Sequence, residues 1–122
     1  MHKVLLCLAS NCQQVQNMEA ARSLLPKLLA DLHYTTEHWT DPVTSHGDRH
    51  AVRYLNQLAT GTTDLEAEGL NLRLKEIEQQ LGRKHDKSGV VTIDIDLLQY
   101  DDTRYHLRDW ERDYVKDLLV EL

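Results

Sequence analysis

Val90-Val91-Thr92-Ile93-Asp94-Ile95-Asp96-Leu97-Leu98 is dense in β-branched and aliphatic residues, and it reads as a β-strand. A strand's two-residue period sends Val91, Ile93, Ile95 and Leu97 to one face and Thr92, Asp94 and Asp96 to the other. Two carboxylates then share one face with their bases roughly 6.5 to 7 Å apart. Like charges at that spacing are costly without a positive partner between them. Mg²⁺ suits the pair, because it takes one or two protein carboxylates and fills its octahedron with water and phosphate oxygens. A solvated face of an antiparallel sheet gives the same alternation, so the rest of the chain has to discriminate.

The 122 residues suffice for one compact domain, 1–122, and are few for two. With 41% hydrophobic and 28% charged residues the composition is globular rather than disordered. No apolar run is long enough to span a bilayer, and the start Met1-His2-Lys3-Val4-Leu5-Leu6-Cys7-Leu8 is too short for a signal peptide. A cytoplasmic monomer is expected. Cys7 and Cys12 form neither a CxxC pair nor a disulfide framework, and Cys7 reads as a small core residue. His46 and His50 are four apart but sit in a polar, non-helical stretch, which disfavours a metal site there.

A net charge of −6 opposes binding to nucleic acid or to an anionic membrane. The charge is uneven, however. Arg83, Lys84, His85 and Lys87 precede the Asp strand, and Arg104, His106, Arg108 and Arg112 follow it. A Mg²⁺-polyphosphate ligand needs such clusters, whereas loop bases that merely offset nearby acids would give the same count.

Along the chain, His2 to Ala9 reads as a buried strand, followed by a helical stripe of Met18, Ala21, Leu25, Leu28 and Leu32 with a kink expected at Pro26. Tyr34 to Trp39 alternates as a strand. Thr40 to Arg53 is a polar loop, long enough to suggest function, and Tyr54 to Thr60 is the next strand. Thr63-Asp64-Leu65-Glu66 fits a capping box before a helix with Leu70, Leu74, Ile77 and Leu81 on one face and a stop at Gly82. After the Asp strand, Asp113 to Leu122 reads as a short closing helix. The order is β-α-β-β-α-β plus a helix, an α+β ferredoxin-like sandwich.

Ile77-Glu78-Gln79-Gln80-Leu81-Gly82-Arg83, a short loop, and then Thr92-Ile93-Asp94-Ile95-Asp96-Leu97-Leu98 resembles the pattern of the 6-hydroxymethyl-7,8-dihydropterin pyrophosphokinase (HPPK) family. Leu8-Ala9-Ser10-Asn11 is similar to that family's first-strand signature, Tyr54-Leu55-Asn56 to its pterin-contact triplet, and His106 with Arg112 to its late His and Arg. The resemblance implies transfer of a pyrophosphoryl group from ATP to the hydroxymethyl group of a reduced pterin, releasing AMP, in folate biosynthesis. It implies two Mg²⁺ ions on Asp94 and Asp96, with Arg83 also in the catalytic set. Glu78, Arg83, His85, Leu97, His106 and Arg112 would contact ATP. Asn56 would read the pterin's amide edge, Tyr54 and Tyr114 would sandwich its ring, and Thr40, Pro42 and Val43 would form the pocket wall.

The chain departs from the family pattern at several places. Ala9 stands where the family has Gly. The basic loop is short, and Ser88-Gly89-Val90-Val91 replaces a Trp followed by Gly-Pro-Arg. His85 replaces a second loop Arg, and Leu107 the Tyr after the late His. Loss of a phosphate-binding Arg is worth about 2 to 4 kcal/mol of transition-state stabilisation, which Lys84, Lys87 or Arg108 would have to supply. A relative that binds nucleotide or pterin without turnover, and an interaction module without ligand, are the alternatives.

Overall fold

A computed structural model describes residues 1–41, 52–84, 86 and 88–122. Pro42, Val43, His85, His46, His50 and Lys87 lie outside the described residues. The elements are β1 (His2–Ser10), α1 (Gln14–Leu24), β2 (Ala30–Tyr34), β3 (His38–Thr40), β4 (Tyr54–Thr63), α2 (Ala67–Gln80), β5 (Asp94–Tyr100), β6 (Thr103–Arg104) and α3 (Asp113–Leu119). They form one six-stranded sheet in the order β2-β4-β1-β5-β6, with β3 also on β4, and every pairing is antiparallel. The four main strands have the split βαβ order expected from the sequence.

β1 is central, and Val4 to Leu8 are buried on both of its faces, which explains their unbroken apolar run. Leu6 and Leu8 join Ile95 and Leu97 of β5, Leu55 and Ala59 of β4, and the α1 and α2 residues Met18, Ala21, Leu70, Leu74 and Ile77 in the larger core. Leu5, Cys7, Leu58 and Leu98 face the other way, onto Val115 and Leu118 of α3. Asp94 and Asp96 therefore project on the face that α3 only partly covers.

Several boundaries differ from the sequence expectations. α1 stops at Leu24, and Pro26 is the second residue of a 3-10 turn of Leu25–Lys27, in whose first turn its missing N–H leaves no bond unmade. The kink is thus a termination, and Leu32 lies in β2 instead of on the helix. The expected strand Tyr34 to Trp39 is divided between β2 and β3. Between them, Thr35 O accepts from Gln57 Nε2 at 2.7 Å, the Leu58 amide donates to Thr35 Oγ1 at 3.0 Å and the Thr36 amide to Glu121 Oε1 at 2.7 Å, so side-chain bonds replace the ladder there. The capping box does not form. Thr63 is the last residue of β4, and its hydroxyl accepts from the Leu65 amide at 3.1 Å, while Glu66 precedes the helix without a side-chain cap.

β4 runs three residues past the expected end. Its Gly61 is where β2 crosses closely, since a Cβ there would meet Ala30 O at 3.1 Å. β5 begins at Asp94 rather than Val90, and β6 and the early end of α3 at Leu119 are further differences.

Candidate active site

Strand register places the acidic pair in two rows across the sheet. Asp94 is opposite Ala9, Ala9 opposite Asn56, and Asn56 opposite His38. The next row runs Asp96, Cys7, Leu58. Ala9, the residue at the family's Gly position, thus sits on the floor between the carboxylate end and the amide end. Burial and the adjacent Asp96 charge raise the Asp94 carboxyl above its ordinary value, partly opposed by Lys75 and Arg83.

The β5 edge beside this pair is closed by α2. β6 pairs only with Gln99 and Tyr100, which would leave the Ile95 backbone bare. Instead the Ile95 amide donates to Glu78 Oε2 at 2.9 Å, and Lys75 Nζ donates to Ile95 O at 3.1 Å. Lys75 Nζ also donates to Glu78 Oε2 at 2.7 Å and to Asp96 Oδ1 at 3.2 Å, and lies 3.7 Å from Asp94 Oδ1. Burial disfavours the Lys75 charge, but the Glu78 hydrogen bond and the three carboxylates outweigh it and raise its pKa. Leu97, an expected ATP contact, is buried in the larger core on the far face. By strand alternation its backbone shares the open edge with that of Ile95.

Glu78 and Arg83 owe their spacing to the end of α2. Gly82 has φ +97°, its amide donates to Gln79 O, and the Arg83 amide donates to Glu78 O at 2.9 Å. This is the Schellman arrangement, in which the residue after the glycine folds back over the third from the helix end. The Glu-x-x-x-x-Arg pattern is that pair of positions. Among the described residues Glu78 Oε1 and Arg83 Nε and Nη1 are buried without hydrogen-bond partners. The expected stop at Gly82 is thus observed.

At the other end, Asn56 is 2% exposed, and its NH₂ group donates to His38 O at 3.0 Å and Thr40 Oγ1 at 2.9 Å. Asn56 therefore spends its donors pinning β3, and among the described residues no donor reaches its Oδ1. Tyr54 is opposite Thr40 and, by alternation, on the Asn56 face. The ring parallel to Tyr114 is that of His38, with centroids 6.3 Å apart and planes at 22°. His38 was missed in the sequence, although its position two before Thr40 in an alternating run puts both on one face. The Tyr114 hydroxyl lies 3.8 Å from Cys7 Sγ, and burial pushes the Cys7 thiol up to about 12, consistent with a core residue.

The late residues arrive on the turn before α3. His106 has φ +51°, and its Nε2 is 3.9 Å from Asp96 Oδ1, beyond hydrogen-bond range. Asp109, which the sequence reading did not single out, accepts from Arg112 Nε at 3.0 Å. Ligand atoms of Asp96, His106 and Asp109 all lie within 4.8 Å of one another. Of the expected basic residues, Arg104 stacks on Trp110 at 4.0 Å instead of facing the acids.

The first-strand signature has a clear structural task. Ser10 Oγ donates to Thr92 O at 2.7 Å, Asn11 Nδ2 to Gly89 O at 2.8 Å, and the Val91 amide to Asn11 Oδ1 at 2.6 Å. Ser10 and Asn11 thereby hold the short segment that leads into Asp94. A separate groove of about 510 Å³, lined by residues such as Leu28, Thr63, Arg73 and Ile77, shares no residue with this site.

An antiparallel α+β sheet with paired carboxylates on one face, cationic side chains at the rim and a pinned amide beside them is suited to a metal-bound polyphosphate next to a flat polar ligand. The profile of the 7,8-dihydro-6-hydroxymethylpterin-pyrophosphokinase (HPPK) family matches residues 5–122, and the chain belongs to that family. No curated protein matches it. Family membership implies pyrophosphate transfer from ATP to hydroxymethyldihydropterin in folate synthesis, and such enzymes in general use ATP and Mg²⁺. Among the described residues no helix is long and apolar enough to cross a membrane.

Proposed function

We propose that this chain is a Mg²⁺-dependent member that carries out the family reaction with the acidic face of β5 as its centre. The observation that carries this reading is the single row Asp94-Ala9-Asn56-His38, which sets a carboxylate and a pinned amide two strands apart on one face. The donor set fits the metal: Asp94 and Asp96 offer hard oxygen ligands next to each other on one face of β5. Two ions bound there would lower the repulsion between the attacking oxygen and the polyphosphate.

The pterin hydroxyl oxygen attacks the β-phosphorus of ATP, the bond from that phosphorus to the α-phosphate bridging oxygen breaks, and AMP leaves as the hydroxyl proton is lost. Asn56 Oδ1 accepts from the pterin's donor edge, while Tyr54 and Tyr114 flank the ring and Thr40, Pro42 and Val43 wall the pocket. Arg83, His85, His106 and Arg112 bind phosphates, with Arg83 countering charge that develops in transfer. Glu78 and the Leu97 backbone line the nucleotide side. The domain spans 1–122 and acts as a cytoplasmic monomer without nucleic acid or membrane partners.

Incubation with Mg²⁺, ATP and 6-hydroxymethyl-7,8-dihydropterin should release AMP, and chelation of the metal should stop it. Asp94→Asn and Asp96→Asn should each abolish release. Heat stabilisation by pterin or Mg²⁺ without AMP would support the non-catalytic relative, a reading favoured by the replaced loop residues Ser88-Gly89-Val90-Val91. No response to any of the ligands would refute both.

A further inference from the structure

We infer that Lys75 is a tethered counter-cation for the aspartate pair and competes with the divalent ion for Asp96. This rests on the reading that Asp94 and Asp96 hold the metal. An ammonium group has three donors, and here they meet Glu78 Oε2 at 2.7 Å, Ile95 O at 3.1 Å and Asp96 Oδ1 at 3.2 Å, with Asp94 Oδ1 next at 3.7 Å. Four oxygens around one nitrogen resemble the surroundings of a small bound cation. Three belong to acidic side chains.

The geometry makes this more than a surface ion pair. Lys75 starts on the helix that packs against the opposite face, and its stem passes the open edge of β5 to reach the acidic face. Glu78, 1% exposed and fixed by the Ile95 amide, holds the ammonium from behind. An ordinary solvated lysine would not be anchored at two points before meeting its carboxylates. A divalent ion on Asp96 would then face a positive charge on the same oxygen, and that cost comes out of its affinity. Lys75 can retreat on its four-carbon stem while keeping Glu78, so competition is reversible rather than a block.

A purely structural role and a competing role predict opposite signs for metal affinity. Lys75→Met keeps the apolar stem and removes the charge; Lys75→Arg keeps the charge. The full chain is titrated with Mn²⁺ alone, followed by the resonance of free Mn²⁺, and with Mg²⁺ alone by calorimetry. Competition predicts that Lys75→Met binds either ion at least tenfold more tightly than the wild type, and that Lys75→Arg stays near the wild type. In chelator Lys75→Met should melt below the wild type, and Mg²⁺ should restore it more than it raises the wild type. If Lys75→Met fails to fold, Lys75→Gln replaces it.

Wild-type metal binding that needs Asp94 and Asp96, combined with no tightening in the folded charge-free variant, would overturn the Lys75 inference alone. Metal binding indifferent to Asp94→Asn and Asp96→Asn would overturn the metal reading and this inference with it.

Discussion

Replacing Glu78 by Ala tests whether α2 closes the β5 edge. The side chain accepts two hydrogen bonds through Oε2, from the Ile95 amide at 2.9 Å and from Lys75 Nζ at 2.7 Å. Removing it leaves the Ile95 amide buried without a partner, a cost of about 1 to 3 kcal/mol. It also leaves Lys75 without its nearest carboxylate. Because the Lys75 side chain is 37% exposed and keeps Asp96, that loss is discounted to about 1 kcal/mol. Against these stands relief of the unpartnered Glu78 Oε1, worth about 1 kcal/mol. The net expectation is a loss of about 2 kcal/mol, or roughly 4 to 12 °C in Tm for a domain of this size. Glu78→Gln retains an acceptor for Ile95 and should lose about half as much. Urea unfolding followed by fluorescence of Trp39 and Trp110 gives both numbers. A loss below about 0.5 kcal/mol for Glu78→Ala would refute the edge-closure reasoning, since surface substitutions already scatter that far.

Ala9→Gly should tighten pterin binding several-fold, because the methyl stands on the floor between Asp94 and Asn56; unchanged affinity by calorimetry would remove Ala9 from the pocket. Asn11→Ala deletes the side-chain bonds to Gly89 O and the Val91 amide, so amide exchange at 89–92 should accelerate at least tenfold while the β1 core stays protected. Glu121 is held below its ordinary value of 4.5 by the Thr36 amide and hydroxyl. A depressed carboxyl contributes stability above its unfolded pKa and loses it as pH falls through the folded value. The Tm gap between wild type and Glu121→Gln should therefore be full above pH 4.5 and close at more acidic pH; a gap constant with pH would contradict the assignment.

Periodicity in the sequence made the strands and the faces of β5 legible, because alternation of Ile93, Ile95 and Leu97 with Asp94 and Asp96 is a local property. Gly82 was legible for the same reason: a left-handed stop needs glycine whatever packs around it. The capping box failed because Thr63 was claimed by β4, a long-range pairing that local spacing does not reveal. Pro26 and Leu32 were misread together, since a stripe drawn through a proline continues on paper where the helix ends in space. Within the proposed site, the expected residues come from strands, helix ends and the turn before α3, whereas contacts that join separate elements leave no local signature. Lys75 reaches around a sheet edge, His38 of β3 meets Tyr114 of α3, and Asp109 joins Asp96 only through the turn at His106.

The same contacts place the chemistry of this site under structural constraint. Glu78 supports the β5 edge and anchors Lys75 through Oε2, and its Oε1 is buried without a partner among the described residues, so a nucleotide contact would require its side chain to be uncovered. Asn56 likewise has committed its NH₂ group to β3, which restricts it to accepting from a ligand through Oδ1. A pterin bound there must present a donor, while the opposite polarity would require the amide to turn and release both His38 O and Thr40 Oγ1. Releasing two hydrogen bonds costs about 1 to 3 kcal/mol, so in the proposed pterin site the orientation of the ring would be set by how β3 is held. Asn56→Asp keeps the acceptor and removes the donors. It should therefore loosen β3, seen as faster amide exchange at 38–40, and weaken pterin binding less than Asn56→Leu, which removes both. Equal loss in the two variants would show that Oδ1 is not the contact.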